Sequence, residues 1–140
     1  MKKKNRDFGK LSVELHEKLG SKIEMNNTVK IKNKTDLSIT YSPGVGAPCL
    51  EIEKDQSKFY DYTINGKTVG VITDGSAVLG LGNIGPKAAL PVMEGKAALF
   101  KRFGDLNSFP IAINTQDPKE FIQAVKMLAP SFAGINLEDI

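Results

Sequence analysis

Lys96 is the residue whose surroundings most invite chemistry. It lies in "ALPVMEGKAALFKRF", a stretch that reads as helix. Placed at helical intervals, Ala89, Val92, Met93, Leu99, Phe100 and Phe103 all fall within about 60° of its direction. Lys87, Glu94, Lys101 and Arg102 fall on the other side. The reading therefore puts Lys96 at the centre of an apolar stripe, with Gly95 beside it leaving room for something to approach. A lysine there either snorkels to the surface or is desolvated. A desolvated lysine, above all near a cation, loses affinity for its proton and is a candidate general base or Schiff-base nucleophile. Tyr41 sits in the Pro/Gly-rigid loop "TYSPGVG", where the following proline holds Ser42 extended. A tyrosine so presented is a packing or hydrogen-bonding residue, or a catalytic one. Glu138 and Asp139 end the last apolar run. They are an exposed acidic end or a pair of hard oxygen ligands for Mg²⁺ or Mn²⁺. Adjacent strand residues point to opposite faces unless the strand bends.

"GLGNIG", Gly80 to Gly85, has the G-x-G-x-x-G form of a dinucleotide cradle. That form needs a strand running into the first glycine, a helix opening at the last, and an acid about 20 residues on. Two apolar runs flank Asp74–Gly75 and read as a hairpin, which makes the strand before the glycines a hairpin return. At the expected distance stands only Asp105, in the "FGDLN" turn. On residues alone, a dinucleotide cradle and a tight strand-to-helix turn beside a site both stay open. Other chemistries are removed by count. The one histidine, His16, lies on a charged helical stretch, so Ser/His/Asp and histidine–metal sites are excluded. Cys49 is alone, which excludes an internal disulfide, suits a reducing cytoplasm, and reads as a small buried hydrophobe in "APCLEI".

The elements that must hold these residues follow from periodicity. Leu11, Leu15 and Leu19 predict a helix over residues 9–19, closed by Gly20. Residues 21–36 are a polar, lysine-rich excursion with a short strand at 29–31. A helix begins near Pro48, and a shorter one covers 56–62 before the "NG" turn at Asn65–Gly66. After the hairpin comes the Lys96 helix, with Pro86 in its first turn and Pro91 predicted to kink it. "FPIAIN" is a buried strand. The next helix has Asp117 as its N-cap, Pro118 at its first position and Glu120 three after the cap, with Phe121, Val125 and Leu128 on one face. "AGINLED" is the last strand. The order predicts an α/β fold: a partly parallel sheet flanked by helices, with an N-terminal helical segment. There are no internal repeats.

At 140 residues, 41% hydrophobic and 25% charged, the chain fits one ordinary globular domain. Net charge is +3, part of it from Lys2, Lys3 and Lys4, read as a frayed terminus. Elsewhere acids and bases alternate, so no basic stripe argues for nucleic acid. No apolar run is long enough to span a membrane, and the first residues lack the apolar core of a signal peptide. The expected location is cytoplasmic.

"TYSPGVGAPCLEIEKD", "TDGSAVLGLGNIGPKAALPVMEGKAALFKRF" and "GINLEDI" together resemble the N-terminal domain of the bacterial malic enzymes, the oxaloacetate-decarboxylating malate dehydrogenases. The similarity runs in order from about residue 12 to the end. It implies that Tyr41 is the catalytic tyrosine, a proton donor, and Lys96 the catalytic lysine, a proton acceptor. It implies that Glu138 and Asp139 are two of three metal-binding carboxylates, for Mg²⁺ or Mn²⁺. "GLGNIG" then matches a run beside the substrate site, and NAD or NADP is bound by a Rossmann domain expected downstream and absent from this chain. Residues 1–140 are so read as the substrate and catalytic domain, acting on malate to give pyruvate and CO₂, with no cofactor-binding residue of their own. Alone they are expected to be inactive. The larger eukaryotic branch carries an arginine after Asp-Gly; here stand Ser76 and Ala77, which places the chain with the small bacterial type. Leu11, Leu15, Leu19, Ile23 and Met25, with the resemblance, point to a homodimer or larger homo-oligomer. The alternative is a truncated, non-catalytic self-association or binding module of the same fold.

Overall fold

The computed structural model describes residues 7–140, so the Lys2–Lys4 run lies outside the described residues. Helices α1 (Phe8–Leu19), α2 (Lys34–Thr40), α3 (Gly46–Lys54) and α4 (Phe59–Tyr62) come first. Strand β1 (Thr68–Thr73) follows, then α5 (Pro86–Gly104), β2 (Asn107–Ala112), α6 (Pro118–Leu128) and β3 (Gly134–Leu137). Among the described residues, no helix is long and apolar enough to cross a membrane.

β1 is "TVGVIT", β-branched at every position but Gly70 and buried nearly throughout, as the centre of a parallel sheet requires. It pairs in parallel with β2 on one side and β3 on the other, in the order β2-β1-β3. Parallel neighbours need crossovers, which α5 and α6 supply. Pro110 lies on β2, an edge strand, where its missing N–H costs no ladder bond. At Gly70 a Cβ would press on the Phe132 ring, so the glycine lets that aromatic lie against the sheet. The α/β fold class with a parallel sheet and flanking helices is as the residues predict. Asp117 caps α6 through the Lys119 and Glu120 amides. The return half of the predicted box runs through Thr115: its hydroxyl donates to Glu120, and it accepts from the Asp117 amide.

Several expectations are corrected. No hairpin forms at Asp74–Gly75. The chain leaves β1 into a loop closed by one isolated antiparallel bridge, Val78 with Gly82. Gly75 spends its positive φ (69°) on folding that loop back: its carbonyl accepts from the amides of Ile84 and Gly85, and a Cβ there would collide with the Gly85 carbonyl. The predicted strand at 29–31 is absent, and Val29 and Ile31 are half-exposed. Instead α2 forms just beyond, nucleated by Asn33, whose side chain accepts the Asp36 amide at 2.9 Å. Cys49 is exposed, because α3 buries none of its residues.

The apolar stripe of α5 is also rotated from its expected position. The residues it buries are Ala89, Met93 and Ala97, spaced four apart so that small side chains let the helix lie close to the sheet. Lys96 stands on the shoulder of that stripe. It shares an uncovered ridge with Val92, Leu99 and Phe103, the last 81% exposed.

Candidate active site

Because the strands are parallel, the residues that follow β1 and β3 emerge at one edge, the C-terminal edge where open α/β sheets bind ligands. Thr73 and Asp74 arrive there from β1, Glu138 and Asp139 from β3. The Glu138 amide extends the ladder by donating to the Ile72 carbonyl at 3.0 Å.

Lys96 reaches this edge from α5. Its Nζ lies 3.0 Å from Glu138 Oε2, with the two side chains 33% and 21% exposed. Asn136 Nδ2 donates to the same oxygen at 2.9 Å. Both donors fall on Oε2, so Glu138 Oε1 is left available. Asn136 was not singled out from the sequence. Its signal was available, since a residue two positions before Glu138 on a strand shares its face.

Asp139 breaks the strand's alternation. It takes a left-handed φ of 56°, an uncommon conformation for a residue with a side chain and one that marks a site held by its surroundings. Its carbonyl accepts from the Ala77 amide (3.3 Å) and the Thr73 hydroxyl (3.4 Å). Its Oδ2 is buried with no hydrogen-bond partner. A buried carboxylate oxygen without a donor is costly and calls for an explanation such as a cation. Two adjacent carboxylates on a bent chain end, one with an orphan oxygen, fit part of a hard-oxygen site for Mg²⁺ or Mn²⁺. Among the described residues no group of three or more His, Cys, Asp or Glu side chains could hold a metal.

Tyr41 follows α2 at the cis Ser42–Pro43 bond, is 68% exposed, and among the described residues makes only backbone hydrogen bonds. No hydrogen bond joins it to Lys96, Glu138 or Asp139. The N-terminal segment is tied to α5 by polar contacts at Glu94, which accepts from the Lys22 amide at 2.9 Å, and at the Pro91 carbonyl, which accepts from Lys22 Nζ. The structure thus pairs Lys96 with Glu138, next in the chain to Asp139, with no hydrogen bond to Tyr41.

The glycine run has the turn geometry and the helix opening at its last glycine, without the strand and the acid of a dinucleotide fingerprint. Gly80, Gly82 and Gly85 all have positive φ. No strand runs into the first of them, and Asp105 caps the far end of α5, paired with Lys101. Nineteen helical residues, about 28 Å, separate it from the glycines.

Comparison with known proteins places these features in one context. Residues 20–140 match the sequence model of the family described as "Malic enzyme, N-terminal domain". The "Bifunctional malic/malolactic enzyme" of Bacillus subtilis is 55% identical over 129 residues, covering 92% of this chain and 32% of that protein. The "NADP-dependent malic enzyme" of Escherichia coli is 55% identical over 119 residues, covering 85% of this chain and 16% of that protein. A crystal structure described as the NAD-dependent malic enzyme of Thermotoga maritima superposes with a TM-score of 0.88 at 50% identity, covering 92% of this chain and 36% of that one. The chain therefore spans a third or less of the curated relatives it matches.

Proposed function

Because the chain belongs to the malic enzyme N-terminal domain family, we propose that it is the substrate and catalytic part of a polypeptide that oxidises malate to pyruvate and CO₂ with reduction of NAD or NADP. The single observation that supports the reading is the Lys96–Glu138 ion pair at the C-terminal edge of the sheet, next in the chain to Asp139, whose Oδ2 is buried without a protein partner. Lys96 would accept the proton of the malate C2 hydroxyl, and NAD or NADP, when bound, would supply the acceptor for the C2 hydride. Glu138 and Asp139, with a third carboxylate from outside these residues, would hold Mg²⁺ or Mn²⁺, which when bound polarises the C2 oxygen and stabilises the charge left as CO₂ departs. Tyr41 delivers a proton to C3. The nucleotide belongs to a Rossmann domain outside these 140 residues, and the lone Cys49 suits a cytoplasmic setting.

Tyr41→Phe tests the assignment, since it removes only the hydroxyl. Enolisation of pyruvate, followed as solvent deuterium uptake at C3, is expected to fall by about 10²-fold or more in the full-length polypeptide. Hydride transfer should fall by less. Exchange at the wild-type rate overturns the proton-donor role.

A second reading, a self-association or binding module of the same fold, is favoured by the uncovered N-terminal segment. α1, α2 and α3 bury no residue, and Leu11, Leu15, Leu19 and Met25 are 46–76% exposed. We take this surface as the seat of a homodimer or larger homo-oligomer compatible with catalysis. Sedimentation should show dimer or larger at micromolar concentration. Monomer alone at high micromolar concentration would sink the proposal.

A further inference from the structure

We propose that Thr73 is a positioning residue for Asp139, and through it for the divalent cation of the reading above, on which this inference rests. Thr73 is the last residue of β1 and fully buried. Its place in the sheet does not need a hydroxyl: the backbone bonds of β1 hold it, and its own carbonyl accepts from the Ile113 amide at 2.9 Å. A valine would satisfy a buried strand position as well. The hydroxyl has two other partners. It accepts from the Gly75 amide at 2.9 Å and donates to the Asp139 carbonyl at 3.4 Å. It therefore links the start of the loop after β1 to the residue in the left-handed conformation after β3.

The Ala77 amide, two residues further along the same loop, donates to the same carbonyl. Asp74, also buried, keeps that loop tight by accepting the Ser76 amide at 2.8 Å. The left-handed turn at Asp139 is thus held by two donors, one at the end of β1 and one in the loop that follows, and Asp139 Oδ2 meets no protein donor. A strained backbone persists only where its surroundings over-determine it. Thr73 supplies half of that determination by side chain, where Ala77 supplies the other half by backbone.

The test uses the full-length polypeptide with Mn²⁺ as probe and compares Thr73→Val, which removes the hydroxyl at nearly constant shape, with Thr73→Ser, which keeps it. In wild type, Mn²⁺ should broaden the amide resonances around Glu138 and Asp139. In Thr73→Val, the Mn²⁺ concentration giving equal broadening should rise about tenfold or more, and exchange of the Gly75 and Ala77 amides should accelerate about tenfold. Val71 and Ile72 should exchange as in wild type, and Thr73→Ser should restore both readouts. Should Thr73→Val fold poorly, Thr73→Ala against Thr73→Ser makes the same comparison. Exchange and broadening unchanged in Thr73→Val would overturn the inference, as would acceleration spread evenly over β1. If wild type shows no broadening near Asp139, the metal reading falls, and amide exchange alone decides whether Thr73 holds the turn.

Discussion

Lys96→Ala in the full-length polypeptide is expected to lower malate oxidation by about 10²–10⁴-fold, the range spanned by loss of a general base, with the fold intact. Geometry supports both halves. Lys96 is on the shoulder of α5, outside the buried set of Ala89, Met93 and Ala97, so truncation opens no cavity in the core. Alanine is at least as good a helix former. The ion pair lost is part-exposed, and Glu138 keeps Asn136 on the same oxygen, so its carboxylate is not stranded. Thermal unfolding should therefore change little while turnover collapses. Lys96→Arg adds the discriminating measurement. Arginine preserves the charge beside Glu138 but does not give up its proton in a protein. If the lysine is the base, arginine is as inactive as alanine. Should Lys96→Arg keep more than about a tenth of wild-type turnover, well above what loss of a general base allows, Lys96 serves as a fixed charge and the base lies elsewhere.

The misplaced stripe of α5 shows what a helical projection can and cannot carry. The projection counts apolar residues on all sides of Lys96. Which of them are covered depends on the sheet, and Ala89, Met93 and Ala97 centre the covered arc about 60° from Lys96 by helical geometry. Val92, Leu99 and Phe103 fall on the opposite flank and stay exposed. Local signals did better. α6 begins at its Asp117 cap and α1 ends at Gly20 with a φ of 72°, because caps act over one turn and need no tertiary partner. The same locality misled at Asp74–Gly75, where a positive-φ glycine suits a hairpin and an inward-folded loop equally well. α2 was missed because seven residues without an apolar period leave only the Asn33 cap as signal. At the candidate site, the sequence pointed to Lys96, Glu138 and Asp139. It did not carry the bend that separates the two carboxylates from a plain strand end. Aspartate tolerates the left-handed region without demanding it, and the demand comes from Thr73 and Ala77, more than 60 residues away along the chain.

Asp139→Asn should separate metal binding from folding, with opposite signs. Asparagine has nearly the same shape and takes the left-handed backbone at least as readily, so the turn at φ 56° survives. The substitution lowers the charge on a buried oxygen that no protein group satisfies, and a charged oxygen without a donor is a cost to the metal-free fold. Metal-free Asp139→Asn is therefore expected to unfold at the wild-type temperature or above it. Its response to Mn²⁺ should be lost. A ligand that binds only the folded state raises stability in proportion to the logarithm of its concentration over Kd, so wild type melts higher as Mn²⁺ is added and the variant does not. Metal-dependent turnover in the full-length polypeptide should fall by about 10²-fold or more, as expected when preorganised stabilisation of developing charge is removed. Asp105→Asn is the matched control. Asp105 is also left-handed, at φ 50°, but it is exposed and paired with Lys101 at the far end of α5. Its replacement should leave the Mn²⁺ response untouched. If Asp139→Asn keeps the full Mn²⁺ shift in melting and full turnover, the orphan oxygen is not a ligand, and Glu138 is left as the counter-ion of Lys96 alone.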